Sequence, residues 1–153
     1  IAAFNVMGLP LKIIGEGREE KTLKKPAKSN IEFLGALSDS GIAGHLAECK
    51  ALVFASLEDF GITPLEAQSA GRPVITLGKG GALETVINGK TGVYFKEQTA
   101  ESVILAVKKF QTMCFDKFVC RDNAKRFSRE IFKEKMAAHI SAKIKEHGER
   151  LRK

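Results

Sequence analysis

Residues Ser56–Gly81 read S-L-E-D-F-G-I-T-P-L-E-A-Q-S-A-G-R-P-V-I-T-L-G-K-G-G. The run divides into a strand end, a loop holding Gly61, a helix, a strand and a loop with three glycines. That is the layout of a ligand-binding edge in an open α/β sheet. Thr63-Pro64-Leu65-Glu66 fits a capping box with proline at the first helical position, in which Thr63 caps and Glu66 returns a hydrogen bond to the Thr63 backbone N–H. The same helix start has another use, because its unpaired N–H groups face the sheet edge and can hold a phosphate. On the residues alone both roles stay open for Glu66.

Glu58 lies eight positions before Glu66 with a loop between, so helical spacing does not link them. Any joint role must come from the fold, with both reaching one bound molecule. A carboxylate accepts two hydrogen bonds at once, which suits adjacent hydroxyls of a sugar or ribose ring; Glu58 and Asp59 equally suit a solvated loop tip. Gly78, Gly80 and Gly81 would let backbone amides approach an anion. Lys79 is either a point charge at that loop or an ordinary exposed lysine.

Outward from this stretch, short apolar runs alternate with helical patterns. Leu11–Ile14, Ile31–Gly35, Ala51–Ala55, Pro73–Leu77 and Gly92–Phe95 read as strands. Ala51–Ala55 is apolar throughout, as a strand covered on both faces would be. Residues 1–7 read as the end of a helix closed by Gly8. Helices are expected at Glu19–Pro26, from the cap at Ser38 to Glu48, near Pro64–Ala70, at Gly81–Ile87 and over Gln98–Phe110. The alternation predicts an α/β fold: a Rossmann-like, open, mostly parallel sheet with helices on both faces, its ligand edge at the C-terminal ends of the strands. The tail changes period, and Phe127, Ile131, Phe132, Met136, Ile140 and Ile144 suggest one or two C-terminal helices with an apolar stripe. We therefore divide the chain into a domain over 1–120 and basic amphipathic helices over 121–153, packed on this domain or on one outside the chain.

A chain of 153 residues with 44% apolar content has room for one well-buried core. No run approaches the roughly 18 apolar residues of a membrane span. It begins I-A-A-F-N-V-M-G, without an initiator methionine or a signal-peptide layout, and reads as a piece of a longer protein. The net charge of +7 is concentrated: residues 121–153 carry eleven Lys or Arg against five Asp or Glu. A solvated helical face explains that segment most simply, and an anionic membrane or an acidic partner is the functional alternative. Nucleic acid is disfavoured, because the body lacks interleaved basic and aromatic residues. Cys49, Cys114 and Cys120 are odd in number and irregularly spaced, which points to reduced thiols and a cytoplasmic setting, with Cys49 expected to be buried. With His45, His139 and His147 they form no recognisable metal pattern.

Two look-alike motifs fail on spacing. G-K-T at Gly89–Thr91 would need a glycine where Glu84 stands to make a P-loop, and L-K-I-I-G-E-G lacks the third glycine of a dinucleotide fingerprint.

The string from Ser56 to Ile75, followed by G-G-A-L-E-T-V-I-N-G-K-T-G-V-Y-F, resembles the donor-binding C-terminal domain of retaining glycosyltransferases of the sucrose-synthase and mannosyltransferase-like family. The family's E-x7-E motif falls on Glu58 and Glu66. L-K-I-I-G-E-G and N-I-E-F-L-G-A-L-S-D fit as well, and R-D-N-A-K-R-F-S-R-E-I-F resembles the terminal helices more loosely. The resemblance implies two Rossmann-like domains facing a cleft, with acceptor on the first and nucleotide-sugar on the second. Glu66 would bind the ribose hydroxyls, and Glu58 would hold the transferred sugar as the catalytic position. Phe60, Gly61 and Ile62 would line the sugar and phosphate pocket, with the helix start at Thr63–Leu65 and the Gly78, Lys79, Gly80, Gly81 loop around the diphosphate. No metal or other cofactor is implied; the donor is a nucleoside-diphosphate sugar, GDP-mannose by resemblance. An acceptor sugar or glycolipid would be bound by an N-terminal domain, with possible peripheral contact at the cytoplasmic face of a membrane.

Members usually carry an Arg and a Lys after the domain's first strand, upstream of where Ile1 falls. The chain by itself is therefore expected to be a donor-binding half without activity, lacking the first strand and part of the first helix of its domain. The competing classes are a nucleotide-sugar epimerase on the same plan and a non-catalytic nucleotide-sugar-binding module.

Overall fold

The computed structural model describes residues 1–150, so 151–153 of the basic tail lie outside the described residues. Five strands alternate with helices in the order α1 (Ala2–Met7), β1 (Leu11–Ile14), α2 (Glu20–Lys24), β2 (Ile31–Gly35), α3 (Asp39–Glu48), β3 (Leu52–Phe54), α4 (Ile62–Ser69), β4 (Val74–Leu77), α5 (Ala82–Thr85), β5 (Gly92–Phe95) and α6 (Ala100–Gln111). Two further helices follow, α7 (Lys117–Lys125) and α8 (Arg129–Arg150). Local chemistry sets several of these limits. Gly8 closes α1 in the left-handed conformation, the Ser38 hydroxyl accepts from the Gly41 N–H, and the Thr99 hydroxyl accepts from the Ser102 N–H at the start of α6.

All strand pairs are parallel, and they form two ladders. β1 pairs with β2 from Leu11 opposite Ile31, and β3, β4 and β5 pair in that order. Alternation along the strands sends side chains to two faces. Ile75, Leu77, Val93 and Phe95 join Ile31, Phe4, Ala106 and Val107 in one core beneath α1 and α6. Val74 points the other way, into a second cluster with Leu46 of α3, Ala67 of α4 and Val86. The expected helix-covered parallel architecture is thus present, with helices on both faces.

The two ladders do not hydrogen-bond to each other. Between the β1 and β3 edges lies a cavity of about 660 Å³, lined by Leu11 and Ile13 on one side and Leu52 and Val53 on the other. This explains a departure from expectation: Leu52, Val53 and Phe54 are half-buried, not covered on both faces, because β3 borders that slot.

The apparent boundary at residue 120 falls inside α7, which packs along α4 with Cys120 and Asn123 buried. α8 behaves differently, having no buried residue and presenting Phe132, Met136, Ile140 and Ile144 to solvent. Its stripe therefore does not pack on this sheet. Cys49 is half-buried, not buried: the end of α3 leaves it partly open, with its thiol donating to the Leu46 carbonyl at 3.3 Å. Burial pushes the Cys49 and Cys120 thiols up, away from the reactive thiolate. Among the described residues no helix is long and apolar enough to cross a membrane.

Candidate functional site

The capping box does not form. α4 begins at Ile62, and its N-cap is Gly61 at φ 83 and ψ 80, with no side-chain cap. Glycine reaches this left-handed turn without the steric penalty other residues meet, so the helix starts before Thr63 can act as its cap. Thr63 is then the second helical residue and Pro64 the third. Proline is tolerated there because first-turn N–H groups have no intrahelical acceptor. Pro64 is buried, and a Cβ on Gly61 would lie 3.4 Å from its Cγ and 3.7 Å from Phe54 Cε1.

Glu66 is consequently released from the capping role. Its side chain is exposed, and among the described residues its carboxylate has no hydrogen-bond or ion-pair partner. It lines the slot cavity with Thr63, Ala55 and Gln98, whose Nε2 donates to the Ala55 carbonyl at 2.7 Å. On its other side Glu66 borders a groove with Leu65, Ser69 and Phe127. At the start of α4 Ile62 and Thr63 are exposed, while Gly61 and Pro64 on either side of them are buried.

Glu58 sits on the exposed loop after β3 and does not line the cavity that holds Glu66. The two carboxylates are related through the backbone instead. The Gly81 N–H donates to the Glu58 carbonyl at 2.8 Å. A Cβ on Gly80 would meet that same carbonyl oxygen at 2.6 Å, and one on Gly81 would meet Phe60 Cα at 2.3 Å. Gly80 and Gly81 therefore let the two loops lie backbone against backbone. Phe60 is anchored in turn, its ring edge-on to Phe127 with centroids 5.7 Å apart.

The second loop spends most of its amides internally. The N–H groups of Gly78 and Lys79 donate to the carbonyls of Phe95 and Leu77 at 2.9 and 2.8 Å. Among the described residues the Gly80 N–H has no protein acceptor, and the Lys79 side chain is exposed beside it. The outward polar groups are thus the first-turn N–H groups of α4, the Gly80 N–H, Lys79 and the two carboxylates. Their chemistry suits a ligand with anionic oxygens and paired hydroxyls. No three His, Cys, Asp or Glu among the described residues are placed to hold a metal.

Sequence reasoning passed over Gln68 and Asn123, both fully or nearly buried. The Asn123 Nδ2 donates to Gln68 Oε1 at 2.6 Å and to the Thr85 carbonyl at 2.9 Å, while Gln68 Nε2 donates to the carbonyls of Thr85 and Pro64 at 2.8 and 3.1 Å. The only local signal was Gln68 on the same helix face as the apolar residues; its partner is 55 positions away.

Parallel strands, helices on both faces and an open helix start beside a glycine loop together define a Rossmann-like domain. Residues 5–144 match the family Glycosyl transferases group 1, and the chain belongs to it. It is 40% identical over 75 residues to the alpha-1,3/1,6-mannosyltransferase ALG2 of Dictyostelium discoideum, covering 48% of this chain and 18% of that protein. It is 35% identical over 107 residues to the glycogen synthase of Mycobacterium tuberculosis, covering 66% and 26%. The Anabaena protein HepE, solved in complex with UDP and glucose, superposes with a TM-score of 0.65 at 21% identity over 86% of this chain and 40% of its own. The chain thus spans about a quarter or less of the length of these curated relatives.

Proposed function

We propose that this chain is the nucleotide-sugar-binding half of a retaining glycosyltransferase. The observation that carries the reading is Glu66: an exposed carboxylate without a partner among the described residues, in a helix whose first two residues, Ile62 and Thr63, are exposed. Glu66 takes the ribose hydroxyls, and the N–H groups of the exposed Ile62 and Thr63 after the Gly61 turn meet the diphosphate with Gly80 and Lys79 opposite. Glu58 holds the transferred hexose from the loop that rests on Gly80 and Gly81. Amides and one lysine offset only part of the charge that develops on the departing diphosphate. The remainder falls to cations elsewhere in the intact protein, so the chain alone binds donor without turning it over.

Mannose from GDP-mannose is the first donor to test, supported by the likeness to a mannosyltransferase. The likeness to a glycogen synthase and to a protein holding UDP and glucose makes UDP-glucose the second. Intact protein incubated with each donor and a glycan or glycolipid acceptor should release nucleoside diphosphate and form a product with retained anomeric configuration. EDTA should leave that rate unchanged. Isomerised sugar without released diphosphate would identify an epimerase, and donor binding with neither product a binding module.

The slot and α8 belong to the same reading. The free edge of β1 faces β3, and a parallel strand preceding α1 in a right-handed β-α-β unit would fit between them. The exposed α8 stripe would seat the acceptor domain. Hydrogen exchange on the intact protein should therefore find the amides of β1, β3 and α8 protected. Free exchange in all three would discard this arrangement. Protection of α8 only on adding anionic liposomes would assign that helix to a membrane surface.

A further inference from the structure

The carbonyl of Thr85 ends α5 and has no partner within the helix, as at any helix C-terminus. It is satisfied by two side-chain amides from other helices, Gln68 of α4 at 2.8 Å and Asn123 of α7 at 2.9 Å. The accounting is complete on the donor side. Both Asn123 hydrogens go to Thr85 and Gln68, both Gln68 hydrogens go to Thr85 and Pro64, and Arg126 Nη1 donates to Asn123 Oδ1 at 2.8 Å. Gln68 is 0% exposed and Asn123 4%, so water does not substitute for these bonds.

The network joins the two helices, α4 and α5, that follow the two loops of the candidate site. Pro64 is the third residue of α4, whose N-cap is Gly61. α5 starts directly after Gly81, whose N–H holds the Glu58 carbonyl. Apolar packing among Ala67, Val74 and Val86 is non-directional, whereas the amide bonds fix both angle and distance.

We infer that Asn123 is a positioning residue: through Gln68 and Thr85 it sets α7 as the brace that holds the α4 start, with Glu66, at a fixed separation from the Gly80–Gly81 loop and Glu58. The inference rests on the donor-site reading for its ligand, and its test is built to separate the two.

Asn123→Leu and the double variant Gln68→Met/Asn123→Leu are made in the intact protein. GDP and guanosine, and UDP and uridine, are titrated calorimetrically well below every melting temperature. Asn123→Leu should weaken the diphosphate about tenfold, a coupling usual within one hydrogen-bond network, and leave the nucleoside within about twofold. The double variant leaves the buried Thr85 carbonyl without either side-chain donor, so it should melt lower still and bind the diphosphate no better than Asn123→Leu. Wild-type diphosphate affinity in folded Asn123→Leu, or in the folded double variant, would overturn the inference. Hydrogen exchange over 56–61 and 78–83 decides the coupling without ligand. Faster exchange there with β4 unchanged supports it, and unchanged loops refute it. Loop loosening in a protein whose wild type binds neither nucleotide would reject the donor-site reading and leave the brace standing.

Discussion

A Gly81→Ala variant is expected to lose about 3 kcal/mol of folding stability, the upper range for an inserted methyl that forces backbone apart. The added Cβ would lie 2.3 Å from Phe60 Cα and 2.5 Å from the Asp59 carbonyl oxygen and the Phe60 nitrogen. These are main-chain atoms, so no rotamer change relieves the overlap and one loop must move. The Gly81 to Glu58 bond of 2.8 Å is broken by that movement, and Glu58 shifts with it. Gly61→Ala differs in kind: its Cβ has ordinary room, 3.4 Å to Pro64, and the penalty is the left-handed backbone, about 1–2 kcal/mol. Urea denaturation distinguishes the two by midpoint at constant slope. A Gly81→Ala midpoint within about 0.5 kcal/mol of wild type, the scale of a neutral surface change, would show that the loops are not packed as described.

That contrast also marks what the sequence discloses. The glycine loop reads as an anion cradle because glycine's lack of a side chain exposes amides, and the same lack equally permits a second backbone to approach. Only coordinates tell which, and here Gly78, Lys79 and Gly81 direct their N–H groups at protein carbonyls. The strands were legible because alternation and apolar runs are local. So were the helix limits at Gly8 and Ser38, each resting on one residue's conformational or hydrogen-bonding preference. Thr63 misled because two local signals competed. Thr-Pro-Leu-Glu is a sound cap, yet a left-handed glycine two residues earlier starts the helix first. The division into two ladders and the Gln68–Asn123 pair were not legible, since strand-edge pairing and contacts across 55 residues leave no local trace.

The stripe on α8 shows the same limit from the other side. Its i, i+4 spacing of Phe132, Met136, Ile140 and Ile144 is a correct helix signal, and periodicity predicts a buried face without naming what buries it. In this chain the α7 segment, less conspicuous in sequence, is the part of the tail that packs. Its inward Cys120 and Asn123 meet α4 directly.

Glu66→Ala is expected to weaken nucleoside-diphosphate binding by about 1–3 kcal/mol, the range for lost charge-assisted hydrogen bonds, and to leave the melting temperature unchanged. The second half follows from the site: the carboxylate has no partner among the described residues, and alanine is the better helix former. A capping role makes the opposite forecast, a stability loss near 1 kcal/mol with affinity intact. Calorimetric titration of GDP and UDP at one temperature, beside thermal melts, separates the two. The assignment to ribose is sharper still when the ligand is varied with the residue. The 2′-deoxy nucleotide should bind wild type more weakly than the ribonucleotide, and Glu66→Ala should bind both alike, because the hydroxyl and the carboxylate contribute through one interaction and their losses are not additive. Additive losses would place Glu66 elsewhere on the donor, and unchanged affinity for both would remove it from the site.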